Sequence, residues 1–337
     1  MDRHLPRNDI GASGSEPRTI GFLLVPGFSL LSYSAAIEPL RAANLLAEAE
    51  LYRWVHVSGE GPLVPASNGV SIAPDAGIAD KVNLDAVFVV AGGNPAAFHD
   101  AATLAWLRRI ARRGVVVGGV SGGPFILAKA GLLDGRRCTL HWMHLPAFLE
   151  EFPHLRPSMA LFEIDGDRMT CAGGIAALDM MTAMIQAEHG PGLAAGVREW
   201  FLQGYRPADQ PQRLSLVARH GAHSAPLLRA LEAMERRLET PLPRAALARI
   251  AGLSVRQLER LFAGQLGATI GDMYRRLRLD RARILVREST LGITEIATAC
   301  GFQSASNFSR RYRERFGTSP LGERRAQAQP VFVKPRR

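Results

Sequence analysis

The sequence predicts two domains of different class. The first is an α/β amino-terminal domain, a mostly parallel sheet with helices on both faces, and the second is an all-α carboxy-terminal domain with two helix-turn-helix units. Short β-rich runs alternate with helical segments from Thr19 onward, which is typical of parallel sheets. Apolar helical stripes separated by glycine turns then fill residues 227–325 and indicate helices alone.

The elements of the first half follow from apolar runs and turn residues. Strands are expected at 20–25, 54–58, 70–73, 84–91, 115–117, 160–164 and 168–171, a further extended run at 138–141, and helices at 31–46, 102–112, 124–130 and 176–188. Three glycine-rich strand exits, at 27–28, 92–94 and 119–123, are expected to meet at one sheet edge. Ligands bind at that edge in such sheets, although any one of these turns alone is more often structural.

One local pattern occurs twice in the second half: an apolar helix, a glycine turn and a short basic helix. After a first helix from Leu227, the predicted elements are helix 244–251, the turn at Gly252, a helix capped by Ser254, a long connecting helix 270–288, helix 293–300, the turn at Gly301 and helix 305–316. Two recognition helices joined rigidly can enter successive major grooves about 34 Å apart.

Basic charge is concentrated in this second half. The 337 residues carry a formal net charge of +10, and residues 227–325 alone contain nineteen arginines, no lysine and ten acidic residues. This distribution suits contact with nucleic-acid phosphates. A solvated charged helix face is the alternative.

The composition argues against several other classes of protein. Cys138, Cys171 and Cys300 have no paired spacing, which indicates free thiols in a reducing cytoplasm. His141 and His144 form an H-x-x-H pair without an evident third ligand, so neither a metal nor another cofactor is expected. No apolar run reaches the roughly 20 residues that span a bilayer, so no membrane contact is expected.

The run Gly119-Val120-Ser121-Gly122-Gly123 fits G-x-S-x-G, a sharp strand-to-helix turn that exposes a nucleophile in hydrolases. His141 is the nearest candidate base and has no evident acidic partner in the order a hydrolase requires. A serine hydrolase using Ser121 is therefore kept as an alternative.

Further runs near this elbow are Ala130-Gly131-Leu132-Leu133-Asp134-Gly135 and Thr139-Leu140-His141-Trp142. With the strand exits, they resemble the PfpI-like, class I glutamine-amidotransferase-like superfamily over residues 19–205. Catalytic members place a cysteine at the elbow and an acidic residue after the first strand. This chain has Ser121 and, by our alignment, Ser32 at those positions. Both differences remove thiolate chemistry, which implies a ligand sensor and no enzyme.

The residues expected to bind the ligand lie on the strand exits and beyond the elbow helix. They are Phe28, Ser32, Gly93, Asn94, Ser121, Gly122, His141 and Trp142. Phe28 and Trp142 would offer aromatic faces to a cation, at roughly 0.5–2 kcal/mol for each good contact. Ordinary core packing of His141 and Trp142 is the alternative.

The second half contains a long ordered set of further residues. The set comprises Ile250-Ala251-Gly252-Leu253-Ser254, Leu258, Arg260 to Phe262, Arg278 to Ala282, Ile293-Thr294-Glu295-Ile296-Ala297, Cys300-Gly301-Phe302, Phe308-Ser309-Arg310 and Phe316-Gly317-Thr318-Ser319-Pro320. It resembles the AraC family of transcription regulators over nearly all of residues 227–325. The predicted DNA-binding residues are Arg256, Gln257, Glu259, Arg260, Ala305, Ser306, Asn307, Ser309 and Arg310. Arginine commonly reads guanine, whereas Ala305 can at most touch a thymine methyl.

Together the two resemblances imply a cytoplasmic transcription regulator, usually an activator of catabolic genes, that responds to an amino-acid-derived or quaternary-amine metabolite. Its expected partners are double-stranded DNA, the small-molecule effector, RNA polymerase and a second copy of the chain in a homodimer. A first domain that serves only for dimerisation is a further alternative. The expected organisation is a disordered start at 1–18, the sensing domain at 19–205, a linker at 206–226, the DNA-binding domain at 227–325 and a basic tail at 326–337.

Overall fold

The computed structural model describes residues 16–59, 61–212 and 220–328. They form two compact units. The first contains the described residues up to 93 together with 100–141 and 156–210, and the second contains 94–99, 142–155 and the described residues from 211 onward. Most of the expected disordered start, most of the basic tail and part of the expected linker lie outside the described residues.

The first unit is built on a seven-stranded, mostly parallel sheet. Its strand order is β5-β2-β1-β6-β7-β9-β8, and β8 alone runs antiparallel to its neighbour. A separate ribbon pairs β3 with β4. The strands are β1 (Arg18–Leu24), β2 (Tyr52–Ser58), β3 (Val64–Pro65), β4 (Ser71–Ile72), β5 (Ala76–Gly77), β6 (Ala86–Ala91), β7 (Val116–Ser121), β8 (Phe162–Asp165) and β9 (Arg168–Cys171).

The central strands of this sheet are almost entirely buried, because helices cover them. All six residues of β6 are buried, as the near-continuous apolar run predicted. The helices of the unit are α1 (Leu30–Ala47), α2 (Ala101–Arg112), α3 (Gly123–Lys129) and α5 (Ala176–Trp200). Apolar side chains of α1 and α5 join those of β1 and β6 in one buried cluster. The predicted α/β class is therefore confirmed.

Two local expectations for the first unit were wrong. Residues 138–141 form no strand, because Thr139 makes only an isolated bridge to Ser158 and its hydroxyl donates to backbone carbonyls there. Helix α5 does not end at 188. Gly190 breaks the helical geometry with φ 86° just before Pro191, and a further helical stretch then runs to Trp200.

The second unit is helical among its described residues, as predicted. Its helices are α4 (Leu145–Glu151), α6 (Ala225–Arg236), α7 (Arg244–Ala251), α8 (Val255–Leu266), α9 (Ile270–Glu288), α10 (Ile293–Ala299), α11 (Ala305–Phe316) and α12 (Pro320–Ala328). Helices α7, α9 and α11 have the predicted bounds, whereas α4 and α12 were not predicted. Within the part of the chain that the structure describes, no helix is long and apolar enough to cross a membrane.

Candidate nucleic-acid interface and ligand site

The first helix-turn-helix unit is fixed by local signals that its own sequence contains. Helix α7 ends at Gly252, which adopts the left-handed conformation with φ 73°. Ser254 then caps α8: its hydroxyl accepts the Gln257 N–H at 3.3 Å, and the Gln257 amide oxygen accepts the Ser254 N–H at 2.9 Å. Leu258 and Phe262 are fully buried, so the opposite face of α8 is directed to solvent.

That outer face of α8 carries two available arginines. Arg256, Gln257, Glu259 and Arg260 are all exposed, as predicted. Glu259 forms an ion pair with Arg244 at 3.1 Å, and the Gln257 oxygen is occupied by the cap. Arg256 and Arg260 have no ion-pair partner among the described residues. Their guanidinium groups can therefore donate to base edges or phosphates.

The turn of the second helix-turn-helix unit is held by a side chain from the connecting helix α9. Gly301 has φ 72°, and Arg278 on α9 donates through Nε to the Cys300 carbonyl at 2.6 Å and through Nη2 to the Gly301 carbonyl. Its guanidinium also lies 4.0 Å from the Phe302 ring centroid. Arg278 is half-buried in this position.

The second reading face differs from the first. Ser306, Asn307 and Arg310 on α11 are exposed, whereas Ala305 and Ser309 are half-buried. Arg310 donates to the Asn307 amide oxygen at 3.2 Å, which orients both side chains. Ser309, Arg310, Arg313 and Glu314 line a shallow groove of about 380 Å³. The two helices therefore offer different sets of donors.

In the first unit, the predicted elbow is a strained turn at the end of β7. Ser121 has φ 61°, a conformation that residues other than glycine rarely adopt. A side chain at Gly119 would lie 2.6 Å from the Pro124 nitrogen, and one at Gly123 would lie 2.0 Å from the Val89 carbonyl oxygen. Only glycine fits at both positions, which explains the spacing of the motif.

The three predicted strand exits do meet at this edge of the sheet. A Cβ atom at Gly92 would lie 2.8 Å from the Gly27 carbonyl oxygen. The Gly122 N–H donates to the Ala91 carbonyl at 2.9 Å, which ties the elbow to the end of β6. In hydrolases, the N–H that follows the nucleophile stabilises the oxyanion. Here that donor is already used by the main chain.

A fourth glycine-rich exit, which the sequence reasoning missed, connects the two serines. Gly173 and Gly174 follow β9, and the Gly174 N–H donates to Ser32 Oγ at 2.7 Å. A Cβ atom at Gly173 would lie 2.5 Å from Ser121 Cβ. Ser32 and Ser121 are thus joined through one glycine pair. The sequence contains the same signal here as at the other three strand exits, namely glycine directly after a strand.

A cysteine does lie beside the elbow, but its thiol is buried. Cys171 is completely buried at the end of β9. Burial raises the pKa of its thiol to about 12, although backbone N–H groups of Gly173 and Ser121 act in the opposite direction. The group therefore stays a thiol near neutral pH. Among the described residues, no group of three or more histidine, cysteine, aspartate or glutamate side chains could hold a metal ion.

The remaining predicted ligand residues occupy varied environments. Phe28 is completely buried with its ring edge-on to Tyr33, Gly93 is exposed, and His141 donates its backbone N–H to the Ser121 carbonyl at 3.2 Å. Asn94 and Trp142 belong to the second unit, where the Trp142 N–H donates to the Gln212 side chain at 2.9 Å. A ligand contact by any of these residues stays a prediction.

Comparison with known proteins agrees with both units. Residues 247–326 match the model of a helix-turn-helix domain, and residues 18–187 match the DJ-1/PfpI family. The chain is 46% identical over 304 residues to the HTH-type transcriptional regulator CdhR of Pseudomonas aeruginosa, with 90% of each chain covered. It is also 46% identical over 320 residues to the HTH-type transcriptional regulator GlxA of Rhizobium meliloti, with 93% of this chain and 98% of that protein covered.

A solved structure shows the same fold over part of the chain. A putative transcriptional regulator protein from Vibrio parahaemolyticus superposes with a TM-score of 0.51 at 21% identity, covering 56% of this chain and 100% of that one. The two relatives above match nearly the whole chain. One family model matches the α/β part of the chain, and the other matches the helical part. The protein therefore belongs to the AraC-type helix-turn-helix transcriptional regulators that carry a DJ-1/PfpI domain.

Proposed function

We propose that this regulator activates catabolic genes in response to a small metabolite, which its amino-terminal unit binds and does not transform. The metabolite is amino-acid-derived or a quaternary amine. The regulator acts in the cytoplasm as a homodimer, with RNA polymerase as its partner at the promoter. The observation that carries the proposal is the elbow at Ser121, which has the shape of a catalytic turn. It has a serine in place of a cysteine, its Gly122 N–H is engaged by the main chain, and Ser32 stands where catalytic relatives have an acid.

The geometry around Ser121 supports a binding role over hydrolysis. The Gly122 N–H is engaged by Ala91, and Ser32 accepts a backbone hydrogen bond where catalytic relatives place an acid. A hydrolase of this type needs an unoccupied oxyanion donor and an activated nucleophile. The strained turn therefore has the shape of a catalytic elbow, but its serine has no activating group among the described residues and its Gly122 N–H is already engaged.

The difference between the two reading faces supports sequence-specific recognition. Arg256 and Arg260 on α8 can each donate two hydrogen bonds to a guanine. On α11, Arg310 is held by Asn307, so the pair can act together on adjacent bases. The two half-sites should therefore differ in sequence.

A metabolite screen on the full chain tests the proposal. Thermal denaturation is followed with single amino acids, guanidino compounds and quaternary amines, because a ligand at 100 times its Kd adds about 2.7 kcal/mol to the free energy of unfolding. A compound that raises Tm is then tested for its effect on DNA binding and on transcription with purified RNA polymerase. We expect one class of compound to raise Tm and increase transcription.

Ser121→Ala is the matched control for chemistry. We expect the variant to respond to the same compound, and the compound to be recovered unchanged from both proteins. Hydrolytic turnover by the wild type that disappears in Ser121→Ala would contradict the proposal. A regulator that binds DNA but responds to no compound would favour an amino-terminal unit that serves only for dimerisation.

A further inference from the structure

A buried carboxylate in the first unit is held by hydrogen bonds from a neighbouring arginine and a glutamine. Asp179 lies in the first turn of α5 and is only 7% exposed. Arg206 donates to its Oδ2 atom through Nε at 3.1 Å and also through Nη2, and Gln203 donates to its Oδ1 atom at 3.1 Å. A carboxylate removed from water needs such a partner, because an unpaired buried charge is strongly destabilising.

The electrostatics of Asp179 reflect this burial. Burial raises the pKa of Asp179, and the hydrogen bonds from Arg206 and Gln203, together with the charges of Arg206 and Arg198, act in the opposite direction. Removal from water therefore remains the largest influence on this carboxylate.

The side chains that hold Asp179 also line a shallow cavity that is wide open to solvent. It measures about 360 Å³ and is lined by Ile175, Leu202, Gln203, Gly204, Tyr205 and Arg206. Arg206 and Gln203 thus touch the cavity and the buried carboxylate at the same time. The guanidinium of Arg206 separates the space from Asp179, and a ligand that displaced it would reach the carboxylate directly.

Several side chains that line the cavity are exposed to solvent and are not packed as in a hydrophobic core. Leu202 is 95% exposed and has φ 53°, a strained conformation for leucine, and Tyr205 is 74% exposed. Ile175, which is also exposed, follows the Gly173-Gly174 pair that contacts the two serines of the elbow. The lining of the cavity therefore begins one residue after this glycine pair. Exposed apolar side chains grouped at one place commonly mark a contact surface.

We infer that Asp179 is the anchoring carboxylate of a site for a ligand with a guanidinium or primary ammonium group, and that Arg206 is its intramolecular occupant. The ligand displaces Arg206 and donates N–H hydrogen bonds to Asp179 in its place. A quaternary ammonium has no N–H donor and does not fit this anchor. The inference rests on the proposed function for a ligand-binding role of this unit and narrows the ligand class.

Competition between the ligand and Arg206 has a measurable consequence. A tethered side chain competes at an effective concentration on the order of millimolar, so the wild type should bind weakly. Removing the Arg206 side chain removes the competitor and leaves an unpaired carboxylate beside the cavity. Affinity for a guanidinium compound should then rise.

Calorimetric titration of the full chain with agmatine, in the absence of DNA, tests the inference. We expect Arg206→Ala to bind agmatine at least tenfold more tightly than the wild type, and Asp179→Asn to lose binding. Arg53→Ala is the matched control, since Arg53 is a surface arginine paired with Glu50 in another part of the same unit; it should bind like the wild type. Choline, which lacks N–H donors, should bind to none of them.

Stability provides a second readout if Arg206→Ala is poorly folded. Agmatine should then raise the Tm of Arg206→Ala by more than it raises that of Arg53→Ala, because the ligand restores the missing cation. Equal affinity of Arg206→Ala and the wild type for agmatine, or unchanged binding by Asp179→Asn, would overturn the inference.

DNA-binding measurements separate this inference from the proposed function. Agmatine binding at Asp179 that leaves DNA affinity and transcription unchanged would support the site and count against the proposed regulation. A different metabolite that controls transcription equally in the wild type and in Asp179→Asn would support the regulation and overturn the site.

Discussion

Gly252 and Gly301 occupy the same position in the two helix-turn-helix units, yet their surroundings differ. Both have positive φ angles, 73° and 72°. A Cβ atom at Gly252 would lie 3.6 Å from an arginine side chain, whereas at Gly301 it would lie 2.4 Å from the Glu239 carbonyl oxygen. Backbone atoms cannot move aside as a flexible side chain can.

The two alanine substitutions should therefore have unequal costs. We expect Gly252→Ala to lower the free energy of unfolding by roughly 1–2 kcal/mol, the strain of a left-handed residue. Gly301→Ala adds the clash and should cost roughly 2–5 kcal/mol in total. Denaturant unfolding of both variants measures the difference, and equal costs would show that the second turn relaxes freely.

Arg256 is the residue at which the DNA prediction is sharpest, because it is exposed and unpaired among the described residues. We expect Arg256→Ala to weaken binding to a selected DNA site by about 1–3 kcal/mol and to relax the preference at one base pair. Gel-shift titration against single-base variants of the site checks both effects. Arg41→Ala, which removes the same charge from the other unit, should leave the affinity unchanged; a uniform loss across all sites would instead assign Arg256 to a phosphate.

At the scale of elements, α12 is held to the connecting helix by one buried carboxylate. Glu323 is 6% exposed and accepts hydrogen bonds from Arg283 at 2.7 Å, Arg287 at 2.6 Å and the Tyr312 hydroxyl at 2.8 Å. Burial would raise the pKa of Glu323, but these hydrogen bonds outweigh it and hold the pKa below the usual glutamate range. The network joins α9, α11 and α12.

This network makes stability depend on pH. Because the pKa of Glu323 is lower in the folded protein than in the unfolded chain, its contribution is complete above the unfolded value, roughly 4.3, and is lost as pH falls through the folded value. Glu323→Gln should lower the free energy of unfolding by about 1.5–3 kcal/mol at pH 7.

Denaturant titrations of the wild type and Glu323→Gln between pH 7 and pH 3 measure this dependence. The difference in free energy of unfolding between the wild type and Glu323→Gln should become smaller as the pH falls toward the lower end of this range. A difference that stays constant over this range would show that the carboxylate charge does not hold α12. Tyr312→Phe serves as a control, since it removes one hydrogen bond and retains the ion pairs.

Local sequence signals such as caps and turn residues predicted most of the helices and strands. The exceptions have physical causes. The cap at Ser254 and the left-handed glycine at 252 define the ends of α8 and α7 without help from the rest of the fold. Helix α12 has a weak apolar stripe, and its position depends on Glu323 meeting arginines some 40 residues earlier in the chain. The same reason applies to Arg278, whose burial depends on a turn that lies 22 residues away.

For the whole molecule, the uneven charge predicts how DNA binding responds to salt. The arginines of residues 227–325 exceed the acids there by nine, and contacts with six to ten phosphates would reduce affinity roughly 10³–10⁵-fold between 50 and 200 mM salt. Titration at several salt concentrations gives the slope of log K against log salt. A slope near zero would show that phosphates contribute little, and the same titration on an unrelated duplex gives the non-specific part.

The amino-acid sequence by itself determined the two fold classes, the doubled helix-turn-helix pattern, the glycine elbow and the exposed arginines of α8. These depend on periodicity, caps and turn residues, which act over a few neighbouring positions. Only the tertiary structure decided that the Gly122 N–H is engaged by Ala91, that Gly301 faces a backbone carbonyl, and that Arg206 covers Asp179. Each of these contacts depends on groups that the folded backbone brings together, often from distant parts of the chain. A local sequence pattern does not show which distant groups come into contact.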